Sequence, residues 1–201
     1  MKKAIFTLAF IVGIAFMLQA QFEIKPTIGF NFSKLSTEPE GFDQSARVGY
    51  QLGGSIQFGK KLYFEPGIFW TKMGSEMVHA DQSDIKFTTD INGIRIPVFV
   101  GYQIIGGDDE NIFGLRIFGG PSMSWITSIE GNDTKLEKDD FNSLLWGVDV
   151  GAGIDVWLLF LDIGYEIGLN PVFKDDPDFP DESNDGKNNA FWFNLGMRFR
   201  F

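Results

Sequence analysis

The closing stretch of the chain, Phe191 to Phe201, restricts the fold more than any other. Phe191, Phe193, Leu195, Met197, Phe199 and Phe201 fall on one parity, and Trp192, Asn194, Gly196, Arg198 and Arg200 on the other. Successive side chains of an extended chain point to opposite faces, so period two over this length defines a β-strand. One face is wholly apolar with aromatics at both ends. The other carries two arginines and an asparagine. A strand of about ten residues with one lipid-like face and one charged face is what a transmembrane barrel requires.

The same alternation recurs upstream. Runs are predicted over 22–32, 46–58, 62–74, 94–103, 113–125, 144–156 and 159–169, and the closing stretch makes the eighth. Short turns, Gly59-Lys60-Lys61, Gly106-Gly107-Asp108-Asp109 and Trp157-Leu158, alternate with long polar segments ending at Ser45, Thr89, Asn142 and Asn189. Long and short connections in alternation imply an all-β fold, an eight-stranded antiparallel up-and-down transmembrane β-barrel. An even strand number brings both ends of the barrel to one side, the periplasmic one, and makes the four long connections extracellular.

Eight alternating strands also fit a soluble lipocalin-like barrel, and the faces decide between the two. Glu23, Lys25, Arg47, Glu65, Arg95, Arg116, Asp149, Asp155, Asp162, Glu166, Arg198 and Arg200 all share the face opposite the aliphatics. A soluble barrel would place its charges outside. On the lipid side a midplane Lys or Arg would cost roughly 2–4 kcal/mol, and the pattern avoids it. Lys72, beside Trp70, is the exception, placed where it can snorkel to the interface. Glycines such as Gly29, Gly101, Gly151, Gly164 and Gly196 share the charged face, where they leave room for long side chains in a narrow lumen. Phe22, Phe58, Phe113 and Phe201 at one end, and Phe32, Trp70, Trp125 and Phe191 at the other, suit two interfacial girdles. Pro26, Pro66, Pro97 and Pro121 each remove a ladder donor within a predicted strand, so bulges or strand ends are expected there.

Residues 1–20 read as a signal peptide ahead of a barrel domain over 21–201. Lys2 and Lys3 precede an apolar run to Leu18, and Leu18-Gln19-Ala20 ends on a small residue. The 201 residues carry a formal net charge of -10, which argues against nucleic acid as a partner. The chain has no cysteine, which excludes disulfides, thiolate metal sites and a lipoprotein anchor.

The run Leu62-Tyr63-Phe64-Glu65-Pro66-Gly67-Ile68-Phe69-Trp70-Thr71-Lys72-Met73-Gly74 resembles a recurring strand of the Bacteroidota outer-membrane β-barrel proteins often called PorT-like. Ile94-Arg95-Ile96-Pro97-Val98, Gly119-Gly120-Pro121-Ser122, Gly147–Gly153 and the closing strand are similar to others of that family. The resemblance covers the whole mature chain. It implies an outer-membrane barrel, and the founding name is tied to a protein-secretion system. Its motifs report architecture rather than chemistry.

Candidate chemistry is sparse. Six basic strand residues (Lys25, Arg47, Arg95, Arg116, Arg198, Arg200) face six acidic ones (Glu23, Glu65, Asp149, Asp155, Asp162, Glu166). Such a set forms either an ion-conducting pore or a structural plug of salt bridges; a bore only about eight strands around favours the plug. Asp181, Ser183, Asp185 and Gly186 partly echo a calcium loop, but the closing Glu is missing and its position falls near Trp192. His79 stands in a polar segment without a nucleophile motif, which leaves a lipid-modifying enzyme as a weak alternative. No catalytic, cofactor-binding or metal residues are assigned, and no cofactor. The expected partners are the lipid bilayer and surface or secretion-complex proteins, met by a monomer through its extracellular loops.

Overall fold

A computed structural model describes the backbone of residues 22–35, 42–79, 82–106, 112–131, 142–172 and 187–201. At 33–35, 42–47, 74–79, 82–89 and 129–131 it describes the backbone alone. The predicted leader over 1–20, the calcium-like residues Asp181–Gly186 and the side chains of Arg47 and His79 lie outside the described residues.

The strands are β1 (Phe22–Leu35), β2 (Phe42–Phe58), β3 (Leu62–His79), β4 (Gln82–Ile105), β5 (Phe113–Gly131), β6 (Leu144–Val156), β7 (Leu159–Gly168), β8 (Asn188–Met197) and β9 (Phe199–Arg200). β9 continues β8 beyond a break at Arg198, whose N–H turns aside to the Leu158 carbonyl at 2.7 Å. The two segments together make the eighth wall strand. All neighbours are antiparallel in sequence order, and β1 pairs with both β2 and β8, so the sheet closes. β9 pairs beside β1 at Glu23↔Arg200, and the Phe201 N–H reaches the Phe22 carbonyl at 3.0 Å. The chain is therefore a closed eight-stranded antiparallel barrel, as its alternation predicts.

The wall is inside-out relative to a soluble protein. Ile28, Leu52, Ile68, Val100, Ile117, Val150 and Leu195 are exposed, while Glu23, Lys25, Glu65, Arg95, Arg116, Asp149, Asp155, Asp162 and Arg198 are buried. A continuous apolar outer belt is stable only against lipid. Lys72 lies on the outer wall and pairs with Asp90 at 2.8 Å, next to the Tyr50–Trp70 ring contact. At the end where β1 begins and β9 finishes, Phe22 stacks on Phe201 at 5.2 Å.

Two expectations are corrected. The polar segment Ser75–Thr89, read as a connection, is mostly strand: β3 and β4 remain paired up to His79↔Gln82. Cross-strand pairing with a neighbour outweighs polar composition there. The prolines do not sit at bulges. Pro26↔Gly54, Pro66↔Val98, Pro97↔Ser122 and Pro121↔Val148 are all in register, and the register shifts fall elsewhere, between Arg47 and Tyr50 for example. The missing donors interrupt the ladder around Pro66 and Pro97 without changing its count.

Candidate functional site: a filled lumen

The inward parity of each strand builds the lumen in layers. Nearest the termini, Arg198 holds Glu23 through two nitrogens at 2.7 and 2.8 Å and also contacts Asp155. Arg200, one-third exposed at the mouth, adds a bond to Glu23 at 2.9 Å. Next come Lys25, on Glu65 at 2.8 Å, and Arg116, which reaches Asp162 at 2.6 Å, Asp155 at 3.2 Å and Glu65 at 3.7 Å. Ser55 donates to Glu65 at 2.6 Å. Both cations lie over the Phe160 ring, Lys25 at 4.4 Å and Arg116 at 5.2 Å from its centroid.

A septum of rings follows. Tyr63, Phe99, Phe118 and Trp192 form one buried cluster. Phe99 stacks on Trp192 at 6.1 Å and meets Phe118 at 5.1 Å; Phe118 stacks on Trp192 at 5.9 Å. Beyond the septum stands a second ionic layer. Arg95 bonds Asp149 at 2.5 Å and Glu166 at 2.7 Å, and the Trp192 indole N–H donates to Asp149 at 2.8 Å. Gln51 donates to Asn194 at 2.5 Å in the same half. The far end is capped by Ile126, Leu145 and Val172 with Ile91 packed against them. Val172 is carried there by the start of the last connection, which folds onto β6: the Asn142 N–H meets the Val172 carbonyl and the Asn170 amide brackets Leu144 and Trp146.

The rings owe their places to glycines. Tyr63↔Gly101, Phe118↔Gly151, Trp192↔Gly164 and Phe160↔Gly196 are cross-strand partners. At each of these glycines an added Cβ would strike the partner's ring. A ring laid flat over a bare backbone fills the narrow lumen without spreading the strands.

Ten of the twelve charges assigned to the lumen from sequence are buried there, Arg200 lines the mouth, and the side chain of Arg47 lies outside the described residues. Charges in so enclosed a space persist only when paired and hydrogen-bonded, and the described ones are. The sequence reading missed Phe118, Phe160 and the cap. Phe118 shares parity with Arg116, and Phe160 with Asp162; an aromatic of charged-face parity opposite a glycine was the available signal. Val172 had none, because it lies beyond its strand. Among the described residues, no group of three or more His, Cys, Asp or Glu side chains is arranged to hold a metal ion.

A closed antiparallel barrel with a greasy exterior and an ionic interior defines the class of outer-membrane β-barrels. The chain belongs to the outer membrane protein beta-barrel domain family, whose model matches residues 18–174. No curated protein matches it. Among solved structures it is similar to the outer membrane protein OprG from Pseudomonas aeruginosa, with a TM-score of 0.58 and 13% identity, over 90% of this chain and 96% of that one. It is also similar to Neisserial surface protein A, with a TM-score of 0.51 and 14% identity, over 90% of this chain and 97% of that one. Identities this low speak to the shared fold alone.

Proposed function

We propose that the protein is a non-conducting outer-membrane anchor, monomeric and without catalysis, whose connections at the end remote from the termini face the cell exterior and meet partner proteins. The ring septum between two ionic layers carries this reading, since its rings and ion pairs occupy the lumen among the described residues. In this reading residues 1–20 are the leader that exports the chain, and both termini face the periplasm. The strand motifs around Glu65-Pro66-Gly67 and Arg95-Ile96-Pro97 support placement in the PorT-like group of Bacteroidota. Partners from a surface or secretion complex fit that placement.

The purified chain in planar bilayers is expected to show no discrete conductance above the bare membrane. The double variant Phe118→Ala, Trp192→Ala opens the septum and is expected to produce measurable steps. Steps in the unaltered protein would replace this reading with a narrow pore. Crosslinking in intact outer membranes is expected to capture surface proteins through the long connections.

A further inference from the structure

The second ionic layer is not balanced within itself. Asp149 and Glu166 are cross-strand partners on β6 and β7. Among the described residues, Arg95 is the one cation in contact with either. The ring septum stands between this pair and the ammonium and guanidinium of Lys25 and Arg116. Two carboxylates against one guanidinium leave a single negative charge over in this layer.

The carboxylates are also only half used. Asp149 Oδ1 accepts from both Arg95 and the Trp192 indole, and Glu166 Oε2 accepts from Arg95. Asp149 Oδ2 is buried without a hydrogen-bond partner, and so is the Ser122 hydroxyl oxygen. Asp149 is fully buried and Ser122 is 2% exposed. Ser122 lies opposite Gly147, two residues along β6 from Asp149. A Cβ at Gly147 would lie 2.9 Å from Ser122 Oγ and 3.1 Å from Glu166 Oε1. Oxygens of Ser122, Asp149 and Glu166 thus gather around one stretch of bare backbone, kept open by the glycine.

There is room beside them. One rung further out, Glu166 lines a small cavity with Ser124, Gly168, Asn170 and Asn188, and Leu145 of the cap borders it. The cavity admits about one water-sized sphere, about 10 Å³. A water molecule there would satisfy hydrogen bonds and leave the charge, and an uncompensated buried charge is far costlier than a neutral group. A divalent ion would overshoot the charge, and it demands more oxygens than these, since both carboxylates are shared with Arg95. A monovalent alkali ion matches the charge, the room and the all-oxygen ligands.

We propose that Ser122, Asp149 and Glu166 form a binding site for one monovalent alkali cation, which completes the charge balance of the second ionic layer. The site goes beyond the anchoring role and depends neither on how the barrel is inserted nor on a partner protein.

The test uses the full chain in zwitterionic lipid nanodiscs, with isotope-labelled tryptophan read by NMR. The Trp192 indole N–H, bonded to Asp149, is the reporter. Trp70, Trp125 and Trp157, exposed on the outside, are internal controls. Replacing N-methylglucamine chloride by sodium or potassium chloride at neutral pH is expected to move the Trp192 resonance saturably and leave the controls in place. Glu166→Gln removes the surplus charge at nearly the same size and is expected to abolish the shift. Ser122→Ala is expected to weaken the response about tenfold, the effect of one lost polar contact. Its hydroxyl oxygen has no hydrogen-bond partner to lose, so this variant decides the matter if Glu166→Gln fails to fold. A Trp192 resonance indifferent to sodium and potassium would overturn the site and leave a shared proton or a water in its place. So would an equal shift with N-methylglucamine, which is screening, or an unaltered response in Ser122→Ala, which puts the ion elsewhere. Conductance steps in the unaltered protein would remove the anchor reading and leave this result standing.

Discussion

Arg116 shows what a single residue does in this interior. Its side chain is fully buried and meets Asp162, Asp155 and Glu65 while lying over Phe160. Arg116→Met keeps the bulk but leaves Asp162 with only the Lys25 ammonium, 3.9 Å away, so it is expected to lower stability by about 3–5 kcal/mol. Urea unfolding in lipid vesicles, followed by tryptophan fluorescence, measures it. Gly164 carries the converse lesson. A methyl group there meets the Trp192 ring, and overpacking of this kind costs about 1–3 kcal/mol. Gly164→Ala is expected to lose that much in the same assay, with Ala152→Gly on the outer wall as a milder control. The charged residues were legible in the sequence because lipid tolerates no ions at midplane, so parity alone sorts them. Phe118 and Phe160 were not, since an aromatic suits either face of such a wall and only the glycine opposite marks it as internal.

The elements owe their length and their ends to different causes. Sequence patterning located β6 and β7 closely, because their outer ends meet polar residues and the strict alternation breaks at Trp157-Leu158 between them. It cut β3 and β4 short. Polar side chains beyond the lipid belt lose their amphipathic signal while the backbone goes on pairing. The β6–β7 turn is tied on both sides: the Trp157 N–H donates to the Ile112 carbonyl at 2.7 Å, and the Leu158 carbonyl accepts from Arg198. Trp157 sits at a φ of 55°, in the left-handed region that a bulky side chain avoids. Trp157→Gly is expected to gain about 1 kcal/mol in detergent micelles, where no bilayer interface rewards the indole. A lower unfolding midpoint for this variant would contradict the strain. On β7, Ile163 faces outward between Ala152 and Phe193. Ile163→Arg is expected to cost about 2–4 kcal/mol in bilayers, visible as a shifted folding equilibrium in vesicles.

At the scale of the whole molecule, closure was the easiest property to read. Eight alternating runs, with ions on one parity, leave a ring as the arrangement that gives every backbone group a partner in lipid. The septum was illegible for a plain reason: it depends on how far each strand is slid against its neighbour, and alternation is blind to a slide of two residues. One consequence concerns the route by which the ring is assembled. The four ring-over-glycine contacts fasten β3 to β4, β5 to β6 and, twice, β7 to β8. β1 presents Lys25, Thr27, Gly29 and Asn31 inward and takes part in none of them. Three hairpins thus carry their own rivets, while the two joints that complete the hoop have none of this kind. The N-terminal strand is therefore expected to act as the clasp, fitted once the rest of the palisade is upright.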